Sequence, residues 1–236
     1  MKIGLASVAL LLLLPSSAYA HRDDYLDETF VYVTLGRHEV EIEGWAEARR
    51  GTDHRTAGWY TGAFEYGLSS HWMADAAAQV FHRGEGFRFG RLRLETRARF
   101  AEEGRWPVDL AASAEYEHET RASTGAESED VLTPRLVLSR DVSRDLNTTL
   151  NLDLPVRLSG ERKISFAYAL GVRYPAETAV RVGTELKGNS SEHNATVFPQ
   201  VWFALPKELT LKFGTGIGLT SRTDRWVVRA VAEIEL

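Results

Sequence analysis

The sequence predicts an all-β fold: a single antiparallel, up-and-down transmembrane β-barrel of about twelve strands. Three observations lead to this prediction. The chain begins with an export signal, apolar and polar residues alternate along most of the remaining chain, and the connections alternate between short and long. Together they indicate a protein that leaves the cytoplasm and enters a membrane as strands.

The first twenty residues have the three parts of a secretory signal peptide. Lys2 precedes an uncharged apolar run from Ile3 to Leu14, and the segment ends in Ala18-Tyr19-Ala20. A positive start, an apolar stretch of roughly 7–15 residues and an A-x-A ending define such a signal. The run is shorter than the roughly 20 residues of a membrane helix. We therefore expect cleavage after Ala20 and exclude residues 1–20 from the fold.

The composition excludes several classes of protein. The 236 residues contain no cysteine, which excludes a disulfide scaffold and cysteine-based catalysis or metal binding. The formal charge is −5 without a basic block, which argues against a nucleic-acid partner. Beyond residue 20 no apolar run is long enough for a membrane helix. A membrane-embedded form must therefore be a closed barrel, in which strands satisfy every backbone group.

Alternation with a period of two residues predicts the strands. From Leu146 to Leu158, aliphatic residues alternate with mostly polar ones. This pattern specifies a strand with one apolar and one polar face. The same pattern predicts strands at 39–49, 58–68, 71–82, 87–101, 107–119, 131–139, 146–158, 162–174, 178–187, 196–205, 209–220 and 225–236. Most have the roughly 9–11 residues that a tilted membrane strand needs.

Two features depart from the pattern. Pro134, Pro155 and Pro199 fall inside predicted strands, where they favour bulges or strand ends. Residues 71–82, with Ala76-Ala77-Ala78, are also compatible with a short helix.

The two faces of the predicted strands differ in charge. The apolar faces carry no Asp, Glu, Lys or Arg, although these residues make up 26% of the chain. A soluble barrel or sandwich, the competing architecture, would have to bury all of these apolar side chains inside one sheet. If they face lipid instead, the polar set fills the lumen. We therefore favour the membrane barrel.

The connections differ in length on the two sides. Every second connection is tight, for example Ser69-Ser70, whereas the intervening ones are longer and more polar, for example 121–130 and 188–195. This asymmetry is typical of outer-membrane barrels. An even strand count places both termini on the short-turn side, the periplasm. We expect a periplasmic N-terminal segment at 21–37 and a barrel domain at 38–236.

Aromatic residues on the apolar faces form two predicted interface belts. They are Trp72, Phe100 and Tyr174 beside the short turns, and Tyr60, Tyr116 and Trp226 near the opposite ends. Rings of this kind are expected where a barrel meets the lipid headgroups.

With these features the chain resembles bacterial outer-membrane β-barrel proteins of the porin-like kind. The resemblance covers nearly the whole chain after residue 20 and is architectural. Such proteins commonly end in an aromatic residue, whereas this chain ends in Glu233-Ile234-Glu235-Leu236. The resemblance implies a location in the outer membrane of a Gram-negative envelope. It also implies outer-membrane lipid and the barrel assembly machinery as partners, and it assigns no oligomeric state.

The predicted inward face is heavily charged and sorted by strand. Its members are Glu39, Glu41, Glu43 and Glu47; Arg91, Arg93, Glu95, Arg97 and Arg99; Asp109, Glu115, Glu117 and Glu119; and Arg157, Arg173, Arg181, Glu185, Arg229 and Glu233. Opposite charges on adjacent strands attract across about 5 Å, and fixed charges lining a pore filter solutes. Two interpretations stay open. The lumen is an open path with a transverse field, or a closed salt-bridge network fills it.

These observations support three hypotheses for function. The first is a passive channel or transporter for small polar solutes. The second is a closed barrel with a structural or interaction role, with residues 21–37 and the loops 121–130 and 188–195 as contact surfaces. The third is a lipid-active enzyme, for which His118, Tyr116 and Ser123 are the candidates. Because no Ser/His pair falls at matching height on neighbouring strands, we expect no enzyme. We also expect no cofactor and no metal.

Overall fold

The computed structural model describes residues 24–26, 29–82, 84, 86–120, 128–176 and 178–236. The strands are β1 (Val40–Arg50), β2 (Thr56–Ser69), β3 (Trp72–His82), β4 (Phe87–Arg99), β5 (Asp109–Glu119), β6 (Glu129–Ser143), β7 (Leu146–Asp153), β8 (Val156–Arg157), β9 (Ala167–Tyr174), β10 (Val180–Asn189), β11 (Asn194–Leu205), β12 (Leu209–Gly218) and β13 (Trp226–Glu235). In these ranges, no helix combines the length and hydropathy needed to cross a membrane.

The strands close into a barrel. Consecutive strands pair antiparallel, and the last strand pairs with the first from Glu41↔Glu235 to Arg50↔Trp226. The short β8 continues β7, because both pair with β6 and only Leu154 and Pro155 lie between them. The wall is therefore a closed, up-and-down barrel of twelve antiparallel strands. The predicted fold class is confirmed.

Local departures from the predicted strands have physical reasons. Pro155, which has no N–H to donate, interrupts β7. Pro134 and Pro199 remain within the paired parts of β6 and β11. Residues 72–82 form strand β3 and no helix, since β2 and β4 pair with both of its edges. This pairing outweighs the helical preference of its three alanines.

The outer surface carries an apolar band. Large side chains such as Ile42, Phe64 and Leu94 alternate along their strands and are exposed. A continuous apolar surface of this kind is suited to lipid chains, not water. The predicted interface aromatics lie on this surface: Trp72, Phe100, Tyr174 and Tyr60 are exposed, and Tyr116 and Trp226 are half-buried. The architecture is therefore a closed β-barrel with an apolar outer surface and a polar interior.

The N-terminal segment lies inside the barrel. We call residues 24–37, which are described except for 27 and 28, the plug. Its side chains and backbone contact inward-facing residues of β4, β10 and β13, which lie on different sides of the wall. Residues 21–37 were predicted to form a periplasmic N-terminal segment before the barrel. The described part lies in the lumen, where its apolar side chains and its peptide groups both find partners.

Candidate functional site: the plugged lumen

A tight turn directs the plug into the lumen. His38 N donates to Gly67 O (2.8 Å), Glu39 N donates to Gly36 O (3.2 Å), and His38 adopts a φ of 70°. The turn approaches the wall closely, since a Cβ on Gly67 would lie 1.7 Å from the Gly36 carbonyl oxygen. The chain therefore reverses direction between the plug and β1, and the described plug residues 24–26 and 29–35 lie alongside the inner face of the wall.

The apolar side chains of the plug form small clusters with the wall. Leu26 packs with Phe198, Val227 and Val231; Phe30 and Tyr32 pack with Ala111 and Val137; Tyr25 and Val31 pack with Trp202. Gly171 makes room for one of these contacts, because a Cβ there would lie 2.5 Å from the Tyr25 ring. Full burial of a large apolar side chain contributes roughly 1.5–3 kcal/mol. These contacts give the plug a core of its own within a polar lumen.

Wall side chains satisfy the backbone of the plug. Gln200 Oε1 accepts from Leu26 N (2.7 Å), and Glu185 Oε2 accepts from Thr29 N (3.0 Å) and Thr29 Oγ1 (2.5 Å). The Asn151 amide, oriented to satisfy both of its polar atoms, donates to Phe30 O (2.9 Å) and accepts from Phe30 N (2.8 Å). A buried peptide group without a partner is costly. Polar side chains of the wall therefore make the hydrogen bonds that water would otherwise make to the backbone of an extended segment.

Asp24 joins the plug to the wall through an ion pair. Arg97 donates to both carboxylate oxygens of Asp24, from Nη1 at 3.0 Å and from Nη2 at 2.7 Å. The same carboxylate accepts from Val31 N (2.6 Å), and Arg97 Nη1 also donates to Val31 O (3.1 Å). The Arg97 side chain is 4% exposed. A two-point, charge-assisted contact that is shielded from water is among the stronger kinds of polar contact.

Buried arginines also hold the aromatic rings of the plug. The guanidinium carbons of Arg97 and Arg135 lie 4.2 and 4.1 Å from the Phe30 ring centroid. The guanidinium of Arg173 lies 4.8 Å from the ring centroids of both Tyr25 and Trp202. Such cation–π contacts gain strength when water is excluded.

Charge is sorted around the wall. The acidic wall, formed by β1, β2 and β3, buries Glu41, Glu43, Glu47, Glu65 and Asp75. Across the lumen, the basic wall, formed by β9 and β10, presents Arg173, Arg181 and Lys187 together with Glu185. Because the strand order places these two groups on opposite sides of the ring, the lumen has a transverse field.

Ion pairs link neighbouring strands between these two walls. Arg93 Nε lies 3.1 Å from Asp75 Oδ1, Arg91 Nη1 lies 3.0 Å from Glu117 Oε2, and Arg135 Nε lies 2.9 Å from Asp153 Oδ1. The lumen thus contains both a transverse field and a salt-bridge network.

Three carboxylates of the acidic wall lie close together. One oxygen from each of Glu41, Glu43 and Glu65 lies within 4.8 Å of the other two, a spacing at which they could hold a cation. Glu43 accepts from Trp45 Nε1 (2.7 Å) and lies 3.7 Å from Lys212 Nζ. Glu65 is 8% exposed, and among the described residues no hydrogen bond or ion pair reaches its carboxylate. Repulsion between such groups favours a positive ligand.

Clefts remain between the described residues of the barrel, and two of them concern the site. The inner cleft lies between the plug and the acidic wall and is lined by Asp24, Glu43, Trp45, Glu65, Arg93 and Lys212. The outer cleft lies at the end with the longer loops and is lined by Arg49, Asp53, Arg55, Trp59, Phe81 and Asp224. Partial burial raises the pKa of the loop residue Asp224, and nearby Asp53 raises it further while Arg49 lowers it.

Most of the predicted lumen charges are buried inside the barrel; Glu39, Arg91, Arg99, Glu117, Glu119 and Arg157 are half-buried. The lumen also contains Glu65, Asp75, Arg135 and Lys212, which were not among the predicted residues. Their positions on the polar faces of predicted strands were the available signal. Asp24 had no such signal, because it lies before the first strand.

The residues of the enzyme hypothesis lie on the outer face near the longer loops. His118 Nδ1 lies 2.8 Å from Asp130 Oδ1, and Tyr116 Oη donates to the same oxygen (2.7 Å). Asp130 N donates to Ser159 Oγ (2.9 Å). Ser123 lies outside the described residues. This is an oriented histidine, and no hydroxyl group in the described part of the chain is hydrogen-bonded to it.

No protein-family model matches the sequence, and no curated protein matches it. Several solved structures share the fold. The KdgM porin is 11% identical with a TM-score of 0.62, over 82% of this chain and 98% of that one. An outer-membrane channel from Pseudomonas putida F1 is 12% identical with a TM-score of 0.64, over 91% and 100%. Outer-membrane phospholipase A from Escherichia coli is 10% identical with a TM-score of 0.52, over 85% and 93%. At these identities the similarity shows the fold alone.

Proposed function

We propose that this protein is an outer-membrane channel for small polar solutes and that the plug closes it. The observation that carries the proposal is the presence of a polypeptide segment inside the wall. Side chains alone fill an eight-stranded barrel, whereas this wall also accommodates a chain with its own side chains. Without the plug, the lumen would offer a path on the order of 10 Å across, the thickness of a peptide with its side chains.

The wall does not depend on the plug for its closure. The ladder between β1 and β13 runs from Glu41 to Arg50 and contains no plug residue. The plug is instead attached through side chains, such as Arg97 and Glu185, and through the turn at residues 36–39. It is therefore able to leave the lumen while the strands remain paired.

The names of the fold relatives support a channel. KdgM is a porin, and one of its structures is a complex with a disordered oligogalacturonate. The Pseudomonas putida protein is a channel. For this chain we propose the channel role of these proteins but not the solute of the KdgM complex. Outer-membrane lipid and the barrel assembly machinery remain the proposed partners of its insertion.

Conductance in planar bilayers tests this proposal. The chain from His21 is compared with a variant that lacks residues 21–35, and circular dichroism and heat-dependent gel migration check that both are folded. We expect rare current steps from the complete chain and sustained steps from the deletion variant, with an open fraction at least about tenfold higher. A folded deletion variant without current would contradict the channel. Equal currents from the two would contradict closure by the plug.

A closed barrel with a structural role is the second candidate. The observation that favours it is the set of ion pairs that link neighbouring strands from β3 to β7, which would persist without the plug. If this second candidate is right, the deletion variant gives no current in bilayers and co-purifies with a specific envelope partner. The same conductance experiment therefore separates the two candidates.

A further inference from the structure

We infer that the plug covers a solute-binding site and that this site takes small zwitterions, which carry one carboxylate and one ammonium as amino acids do. The inference deepens the proposed channel function and rests on it. Asp24 of the plug occupies the carboxylate half of the site at Arg97. Glu65 forms the ammonium half, across the inner cleft.

The carboxylate half is a guanidinium fork that is already bound to a carboxylate. Nη1 and Nη2 of Arg97 hold the two oxygens of Asp24, while Nε of Arg97 faces Glu95 Oε1 at 3.4 Å. When the plug leaves, Glu95 still orients the guanidinium, and its terminal edge points into the lumen. Two parallel N–H groups of this kind match a carboxylate and distinguish it from a neutral group. Asp24 is thus a stand-in for the solute carboxylate.

The ammonium half is a buried carboxylate with room beside it. Glu65 and Asp24 line the same cleft, and no described residue pairs with the Glu65 carboxylate. The oxygens of Glu41 and Glu43 lie within 4.8 Å of those of Glu65, so a positive group placed there meets several acceptors. An ammonium has three donors to offer. The Lys212 ammonium, which pairs with Glu233, lies 3.7 Å from Glu43 at the edge of the cluster.

The mixed charges around the inner cleft select a dipolar solute over a simple ion. An anion with several charges would meet the acidic wall, and a cation with several charges would meet Arg93, Arg97 and Lys212. A solute with opposite charges at its two ends gains from Arg97 on β4 and from Glu65 on β2, two strands away on the same side of the barrel. With the plug in place, the inner cleft has room for about one water molecule, so a solute enters it only when the plug is displaced.

Binding of the solute and binding of the plug then exclude one another. A solute carboxylate on Arg97 displaces Asp24, and the contacts of Asp24 with Arg97 are lost together with the Arg97 contact to Val31 O. The solute therefore shifts the plug toward its released state by its preference for that state. Binding of the transported solute therefore favours release of the plug and opening of the lumen.

A single engineered thiol measures the release. Val31 is 1% exposed, and only its backbone contacts Asp24 and Arg97. Val31→Cys therefore keeps these contacts and places the sole thiol of a cysteine-free chain in the middle of the plug. The rate of its modification by a charged thiol reagent, with EDTA present to remove divalent cations, reports plug release. We expect L-alanine to raise this rate at least about fivefold, and acetate or methylamine at equal ionic strength to raise it less.

Variants of the two halves sharpen the test. Arg97→Lys keeps the charge and removes the fork, and Glu65→Gln keeps the shape and removes the charge. In the Val31→Cys background, we expect both to abolish the advantage of alanine over acetate. Glu192→Gln, in an exposed loop, is the matched control and is expected to respond to alanine as the parent does.

The outcomes separate this inference from the channel itself. If alanine leaves the modification rate unchanged, or if acetate alone acts equally well, the zwitterion site is wrong, and conduction by the deletion variant still stands by itself. If alanine still exceeds acetate in Glu65→Gln, the assignment of the ammonium half is wrong. A silent deletion variant would reject the channel whatever the modification rates are.

Discussion

The wall and the plug are both buried and ordered parts of one chain, but different forces hold them. The wall is held by backbone hydrogen bonds between paired strands, in a ring without a free edge. The plug is held by side chains: the Asp24–Arg97 ion pair, the contacts of the Phe30 ring with two arginines, and the amides and carboxylates that bind its backbone. Individual side-chain contacts contribute only about 1–3 kcal/mol each. The difference implies that single substitutions can release the plug and leave the wall intact.

Gly67→Ala is expected to have the largest effect. The added Cβ would lie 1.7 Å from a backbone oxygen of the turn, a contact that no rotamer change relieves. We expect the turn at 36–39 to open, the plug to leave and the conductance to approach that of the deletion variant. The matched control is Gly44→Ala on β1, where a Cβ meets nothing within 4 Å. If both variants conduct alike, the turn does not direct the plug.

Phe30→Ala is expected to have the next largest effect. It removes a buried ring that packs with Ala111 and Val137 and contacts two guanidinium groups. Loss of such a ring in a core costs about 3–5 kcal/mol, and here that cost falls on the closed state alone. Modification of Val31→Cys should be about 100-fold faster or more. The thermal unfolding temperature of the barrel serves as the control and should change little. A large drop would mean that the plug supports the wall.

Asp24→Asn tests the ion pair at nearly constant shape. A hydrogen bond to a charged group contributes about 1.5–3 kcal/mol, so the released fraction should rise by about 10- to 100-fold. The rate of thiol modification at Val31→Cys measures this change. Asp145→Asn, at an exposed turn, provides a comparison with the same chemistry. An equal change in both variants would show that net charge matters and not the contact with Arg97.

Thr29→Val is expected to have the smallest effect. It removes the hydroxyl that donates to Glu185 Oε2 and keeps the backbone N–H that donates to the same oxygen. The loss should be about 1 kcal/mol, or roughly fivefold in the released fraction. Combination with Glu185→Gln completes a double-mutant cycle that isolates the contact. Strictly additive effects would mean that the two side chains do not interact in the closed state.

The wall was predictable because the alternation of apolar and polar residues that its two faces require is visible in the sequence. Alternation from Leu146 to Leu158 marks β7 and β8, and the charge-free faces mark the lipid side. Even where alanines in β3 favour helix, pairing on both edges maintains the two-residue period. The inward and outward faces of each strand were predictable as well, because a shift by one residue would turn charges such as Arg93 and Glu95 toward lipid.

The plug was not predictable in the same way, because its position depends on complementarity with distant residues. Tyr25 fits against Gly171, and Asp24 meets Arg97, seventy-three positions away. The topology predicted that residues 21–37 begin at the short-turn side, but the direction of the chain from there depends on the turn between Gly36 and Glu39. The predicted choice between an open lumen and one filled by side chains also omitted a third possibility, a lumen filled by the chain's own segment.

The seam between β1 and β13 has a consequence for the order of assembly. The plug immediately precedes β1, and β1 cannot complete the ring until β13, at the far end of the chain, has been made. Before β1 and β13 pair, the strands form an open sheet, and the plug can pack against its inner face from the side. After closure, the plug can enter only lengthwise through one mouth. The plug can therefore reach the lumen by two routes. During assembly it can enter sideways, whereas a plug released from the finished barrel can return only lengthwise.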